Sequence, residues 1–157
     1  MQHNHLHKWI IIILSATFGF FLFSQSVSKT TIMKKIIRTE NAPSPIGPYS
    51  QAVKSGSTLY LSGQIAINPE TGLLADGGIA AETRQVLNNL KAVLIAAGMD
   101  MDHVVKCTIF LSDMDEFPEM NKVYGEFFPD EPPARECVQV ARLPKNVHVE
   151  ISAIAVD

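Results

Sequence analysis

IAAETRQVLNNLKAVLIAAGMDMDHVVKCTIFL, residues 79–111, holds two successive periods. Thr83, Val86, Leu87, Leu90, Val93, Leu94 and Ala97 recur three and four apart, which makes one apolar stripe along a helix from about Ile79 to Ala97. Gly98 follows where a left-handed C-terminal cap belongs. His103–Leu111 is then rich in β-branched residues and reads as a strand. An amphipathic helix running straight into an apolar strand predicts a layered domain of helices on a sheet.

The flanks extend that pattern. Asp115–Phe128 sets Phe117, Met120, Val123, Tyr124 and Phe127 at helical spacing, and this helix ends before Pro129. After a loop at Glu131–Pro133, Ala134–Ala141 and Val147–Val156 read as strands separated by Leu143–Asn146. On the other side, Gly77-Gly78 and the turn Asn68–Gly72 precede the helix. Tyr49–Val53 and Thr58–Gly63 form a hairpin about Ser55-Gly56-Ser57, and Asn41–Pro48 is an ordered loop with three prolines. The order β-β-β-α-β-α-β-β predicts an α+β sandwich, one mixed sheet with both helices on one face. In the last strand Ile151, Ala153 and Ala155 share one face, with His148, Ser152, Ile154 and Val156 on the other. Apolar residues on both faces predict oligomerisation.

Composition narrows the class. With 157 residues, 46% hydrophobic and 18% charged, nine Gly, nine Pro and two Cys, the chain is neither collagen-like, disordered nor a disulfide scaffold. All 16 acidic residues lie at or after Glu40, whereas residues 1–32 carry only Lys8 and Lys29. From Met33 onward eleven basic residues face 16 acidic ones, a formal charge of −5, which repels nucleic-acid phosphates. Residues 1–32 are set apart as a leader and 33–157 as the domain. Trp9–Phe23 (WIIIILSATFGFFLF) has the grammar of a signal peptide, with Ser24 and Ser26 as a small-x-small pattern and cleavage near Val27. As a helix it reaches only about 22 Å at ~1.5 Å per residue, short of a ~30 Å hydrocarbon core. The alternative is an untranslated extension, with translation beginning at Met33. Membrane contact is expected only through residues 9–23, and only if the leader is retained.

Little remains that could carry chemistry. His3, His5, His7, His103 and His148 form no HExxH or His-carboxylate cluster, there is no CxxC, and no metal is expected. No GxGxxG, Walker loop or GxSxG occurs, so nucleotide cofactors and acyl-enzyme chemistry lack support. Cys137 lies two residues after Arg135 on the same strand face, where a cation could lower the thiol pKa; the bland reading is a small buried hydrophobe. Cys107, inside an apolar strand, reads as core. Arg135 enters an otherwise apolar strand and must be paired or exposed. Its fork suits bidentate capture of a small carboxylate, and Glu150, expected in the adjacent strand, is either its ion-pair partner or a separate acid/base group.

Asn41-Ala-Pro, Ile46-Gly-Pro-Tyr-Ser-Gln-Ala52, Leu61-Ser-Gly-Gln64, Pro133-Ala-Arg-Glu-Cys-Val-Gln-Val-Ala-Arg-Leu-Pro144 and Val149-Glu-Ile-Ser-Ala-Ile-Ala-Val156 resemble, in order, the Rid family of reactive intermediate deaminases, also called YjgF-like. The Cys after the Arg is similar to the RidA subgroup. The resemblance runs from about Met33 to the C-terminus and leaves the leader outside it. It implies a chorismate-mutase-like sandwich assembled as a homotrimer, with three sites between subunits. The implied reaction is that of a 2-iminobutanoate/2-iminopropanoate deaminase, hydrolysing 2-aminoacrylate, 2-iminopropanoate and related enamines or imines to 2-oxo acids and ammonia without a cofactor. It implies a cytosolic setting, where PLP enzymes release such intermediates; export or anchoring through the leader is the alternative. Carried over by residue, Arg135 holds the substrate carboxylate and Glu150 positions or activates water, together with the backbone at Cys137. Tyr49, Ser62, Gly63 and Asn121 match pocket positions, and Cys137 becomes a pocket wall. Two other functions compete: an RNA-directed translation inhibitor or ribonuclease, and a metabolite-binding trimer without turnover.

Overall fold

The structure is a computed structural model that describes residues 33–157, so both readings of the leader lie outside the described residues. Strands and helices follow the expected order: β1 (Lys34–Ile37), β2 (Ala52–Ser55), β3 (Thr58–Gln64), α1 (Gly78–Ala96), β4 (Val104–Leu111), α2 (Phe117–Phe127), β5 (Ala134–Gln139) and β6 (Val149–Val156). Short 3-10 turns at Met101–His103, Met114–Glu116 and Pro144–Asn146 precede β4, α2 and β6. The sheet runs β1-β2-β3-β6-β4-β5. Its neighbours are antiparallel except β4 and β5, which are parallel because α2 carries the chain back across the sheet between them.

Both helices pack on one face. Val86, Leu87, Leu90, Val93 and Leu94 of α1 and Met120 and Tyr124 of α2 join Leu59, Leu61, Cys107, Ile109, Leu111, Val149, Ile151 and Ala153 in one core. Helix α1 stops as its sequence predicts. Gly98 adopts φ 81, its N–H donates to Ile95 O, and the Met99 N–H donates to Leu94 O, the paired bonds of a Schellman cap. His103 closes a capping box with Asp100 at the turn before β4.

The proline-rich loop is ordered by a buried amide. Gln51 Nε2 donates to the carbonyls of Thr39, Ala42 and Pro43, and Gln51 Oε1 accepts from the Thr39 N–H. Asn89 of α1 does the same for the segment after β3, donating to the Ile65 and Ile67 carbonyls.

Among the described residues no helix packs on the opposite sheet face. Ile36, Val53, Tyr60 and Ile154 align across four strands there, with Phe110 opposite Val138 further along. Ile36, Tyr60, Val138 and Val156 are exposed.

Several boundaries differ from expectation by a few residues: β5 ends at Gln139 rather than Ala141, and α2 spans Phe117–Phe127 rather than Asp115–Phe128. Strand β2 begins at Ala52 rather than Tyr49, because the Tyr49 N–H turns back onto Gly47 O and the ladder to β3 starts at Ala52–Leu61. The hairpin turn is correspondingly tight, Gly56-Ser57 with Gly56 at φ 60. His148 precedes β6, so the alternation of that strand does not govern it; its side chain meets Glu82 of α1.

Candidate functional site

Strand β3 departs from its ladder with β6 between Leu61 and Gln64, where three steps on β3 match two from Ala153 to Ile151 on β6. The extra residue is a bulge at Ser62-Gly63, and bulges re-aim side chains and open space next to sites. The Ser62 N–H donates to Gln51 O (3.0 Å) and its hydroxyl to Ser50 O (2.7 Å), so the bulge is fixed to the strand that follows the proline loop.

Glu150 of β6 uses the space. A Cβ on Gly63 would lie 2.8 Å from the Glu150 carboxyl carbon and closer to one oxygen, so only glycine lets the carboxylate lie there. Among the described residues Glu150 has neither a hydrogen-bond partner nor a counter-ion, and burial pushes its pKa up. Tyr49, Ser62, Gly63 and Glu150, with Ile46, Ile65 and Pro144, line a cavity of about 310 Å³. Tyr49 is 46% exposed, and its hydroxyl accepts from the Ile46 N–H at 3.3 Å, which holds the ring at the rim. A larger concavity of about 600 Å³ on the other side of Tyr49 is lined by the proline loop and Arg38 and contains none of the other predicted site residues.

Arg135 lies elsewhere. Strand β4 separates β5 from β6, which corrects the expectation that Arg135 and Glu150 occupy adjacent strands. They also take opposite faces. Arg135 pairs with the buried Cys107 on the helix side, whereas Glu150 pairs with Phe110 on the uncovered side. An ion pair between them within one chain is therefore excluded. The Arg135 guanidinium instead lies 4.6 Å from the centroid of the Tyr124 ring and 5.5 Å from that of Phe117. Asn121, exposed, lies four residues after Phe117 and three before Tyr124, on the same stripe of α2. Cys137 follows on the Arg135 face, half-buried. Burial raises its thiol pKa more than nearby Arg135 lowers it, which favours the protonated thiol over an activated thiolate. Cys107 is fully buried core, its thiol likewise pushed up by burial.

The predicted residues thus fall into two groups, Tyr49, Ser62, Gly63 and Glu150 on one sheet face and Asn121, Arg135 and Cys137 on the other. The aromatic support under Arg135 was not foreseen, because Phe117 and Tyr124 fit the helical periodicity of ordinary core. The Gly63 contact was equally silent, since nothing local marks which side chain will approach a glycine.

Among the described residues no cluster of His, Cys, Asp and Glu is arranged to hold a metal ion, and no helix is long and apolar enough to cross a membrane.

Residues 39–157 match the endoribonuclease L-PSP family. The chain is 55% identical over 123 residues to a RutC family protein of Pyrococcus horikoshii, covering 78% of this chain and 98% of that one. It is 47% identical over 128 residues to the 2-iminobutanoate/2-iminopropanoate deaminase of Mus musculus, covering 82% and 95%. A solved structure from Thermotoga maritima superimposes with a TM-score of 0.78 at 52% identity, covering 80% of this chain and 98% of that one.

Proposed function

The chain belongs to the endoribonuclease L-PSP family, also called YjgF or Rid, and from that premise we propose that it hydrolyses small enamine and imine carboxylates, such as 2-aminoacrylate and 2-iminopropanoate, to 2-oxo acids and ammonia. The observation that carries this reading is the unpaired Glu150 carboxylate, its pKa raised by burial, facing a small cavity across Gly63. A carboxyl group tuned upward toward working pH is suited to move protons in both directions. An enamine first takes a proton at carbon and gives one up from nitrogen, which makes it the isomeric imine. Water then adds to the imine carbon; Glu150 accepts the water proton and delivers it to nitrogen. The carbinolamine collapses to C=O as ammonia leaves, so one water is consumed. An activated imine needs little help, and at ~1.4 kcal/mol per tenfold, orientation with one acid/base group suffices. The name of the mouse relative, a 2-iminobutanoate/2-iminopropanoate deaminase, supports the same substrate class.

The carboxylate of such a substrate calls for Arg135, which carries no counter-ion among the described residues yet lies on the far sheet face from Glu150. A second copy supplying Arg135, Asn121 and Cys137 to the Glu150 cavity resolves the separation. The uncovered apolar face, Ile36, Tyr60, Ile154 and Val138 among it, supports burial against other copies, and a homotrimer with three shared sites is the assembly we assign. The cytosol, where imine-releasing enzymes work, is the setting we propose for this chemistry.

The family description favours a second reading, RNA cleavage. Charge opposes it: the domain carries −5, and Lys54, Arg84 and Lys106 are each neutralised by Asp157, Glu126 and Glu136. The test is pyruvate release from enzymatically generated 2-aminoacrylate. The purified protein accelerates it and Arg135→Ala removes the acceleration. Unchanged release by a folded, assembled Arg135→Ala, or tight RNA binding with a steep salt dependence, sinks the proposal.

A further inference from the structure

A half-buried arginine ordinarily takes a carboxylate partner. Arg135 has none among the described residues, and no hydrogen bond either; its neighbours are two ring faces, Tyr124 at 4.6 Å and Phe117 at 5.5 Å. The geometry points to Tyr124 and Phe117 as positioning residues, an aromatic platform that holds the Arg135 guanidinium ready for a substrate carboxylate. This rests on the reading of Arg135 as the carboxylate-binding group.

Three features argue for a platform rather than incidental packing. A ring face attracts the cation through its quadrupole without occupying any of the five N–H donors, whereas an Asp or Glu partner would compete with the incoming carboxylate. The platform is also rigid: Tyr124 is 5% exposed, lies in the main core and stacks on Phe128 at 4.7 Å between centroids. Finally, β5 is the sheet edge, so the guanidinium is backed by α2 and no further strand closes over it. The seven-residue spacing from Phe117 to Tyr124, two turns of α2, puts both rings beneath one side chain, with Asn121 between them. The Tyr124 hydroxyl has no oxygen or nitrogen partner, and its pKa is pushed far up, first by burial and then by the neighbouring Cys107 thiol. It takes no part in holding Arg135, so the ring alone is required.

The experiment measures binding of 2-oxobutanoate by calorimetry and turnover of 2-iminopropanoate, on the full chain in its native assembly. Tyr124→Phe keeps both within about twofold. Tyr124→Leu weakens 2-oxobutanoate binding and raises KM about tenfold, with kcat changed far less, a loss of ~1.4 kcal/mol in carboxylate affinity. Arg135→Ala abolishes the binding. Should Tyr124→Leu not fold, Phe117→Leu at the half-buried lip gives a smaller shift in the same direction. Wild-type affinity in a folded, assembled Tyr124→Leu or Phe117→Leu overturns the platform, as does a fall in kcat alone. If wild type binds 2-oxobutanoate but turns over no imine, the proposed activity fails while the platform stands. Absence of both binding and turnover in wild type overturns both, and if imine is turned over without measurable 2-oxobutanoate binding, an unchanged KM in a folded, assembled Tyr124→Leu overturns the platform alone.

Discussion

Glu150 is stabilising nothing. A carboxylate with no partner among the described residues, half-buried over a glycine, is held in its charged form at a cost to the fold, and burial accordingly raises its pKa. The sign of the linkage is definite: a raised acid favours folding in its protonated state, so the benefit is complete below its unfolded value near ~4.3 and is lost as pH rises through the higher folded value. Glu150→Gln, neutral at every pH, is expected to melt higher than wild type at pH 7.5 and no higher at pH 4, by scanning calorimetry. The same variant should lose about 100-fold or more in turnover, the usual worth of a proton-transferring group. A lower melting temperature at pH 7.5 would show that the carboxylate is structurally paired after all. The glycine gives a matching test. Gly63→Ala forces its methyl into Glu150 and should cost roughly 1–3 kcal/mol in urea unfolding. Most of that cost should vanish in a Glu150→Ala background, since the three atoms nearest the added methyl all belong to that side chain; additive losses would assign it to the bulge backbone.

Between α1 and the start of β6, Glu82 acts as a clasp. Its Oε2 accepts from the His148 N–H (2.7 Å) and its Oε1 meets His148 Nδ1 (2.8 Å), while Glu116 faces the other ring nitrogen at 3.9 Å. The hydrogen bond to Glu82 raises the His148 pKa. The contribution is therefore full below ~6.5 and disappears as pH climbs through the raised value. Because the ring is 42% exposed, it amounts to a few tenths of a kcal/mol. The stability gap between wild type and His148→Ala should narrow from pH 6 to pH 8.5, and a constant gap would make the contact one of packing only. The clasp also marks what the sequence could reveal. Period 3.6 in α1 and α2, β-branched runs in β4 and β6, and the cap at Gly98 are local signals, and each element lies within a few residues of where those signals put it. Lateral strand order is not local. Strands β5 and β6 are consecutive in the chain, yet β4 comes between them because α2 returns the chain parallel to β4. That one step moved Arg135 from beside Glu150 to the opposite face. Residue types suggested a chemistry, whereas the division of those residues between two sheet faces became visible only through the register.

Within one chain Arg135 and Glu150 lie on opposite sheet faces, and no described helix covers the apolar one; the proposed ring of copies would bring the two groups together and bury that face. Such a ring makes a quantitative prediction that a self-contained site does not. Arg135→Ala chains retain Glu150, and Glu150→Gln chains retain Arg135. If each site takes one group from each of two neighbours, co-refolding the two inactive variants in equal amounts rebuilds an intact pair at about a quarter of all sites, by random assembly around a three-fold axis. Activity should return to about a quarter of wild type, although neither variant alone is active, and should not return when the two are mixed without unfolding. Placing both substitutions on one chain and co-refolding it with wild type should likewise leave about a quarter of sites intact, against about half if each chain held its own site. Replacing Ile154 by Glu on the uncovered face should prevent assembly while leaving the helix-side core untouched, since Ile154 points away from it. The resulting monomer should keep its far-ultraviolet circular dichroism and lose turnover together with its sedimentation as a larger species. A fully active monomer would leave the separation of Arg135 and Glu150 without a function.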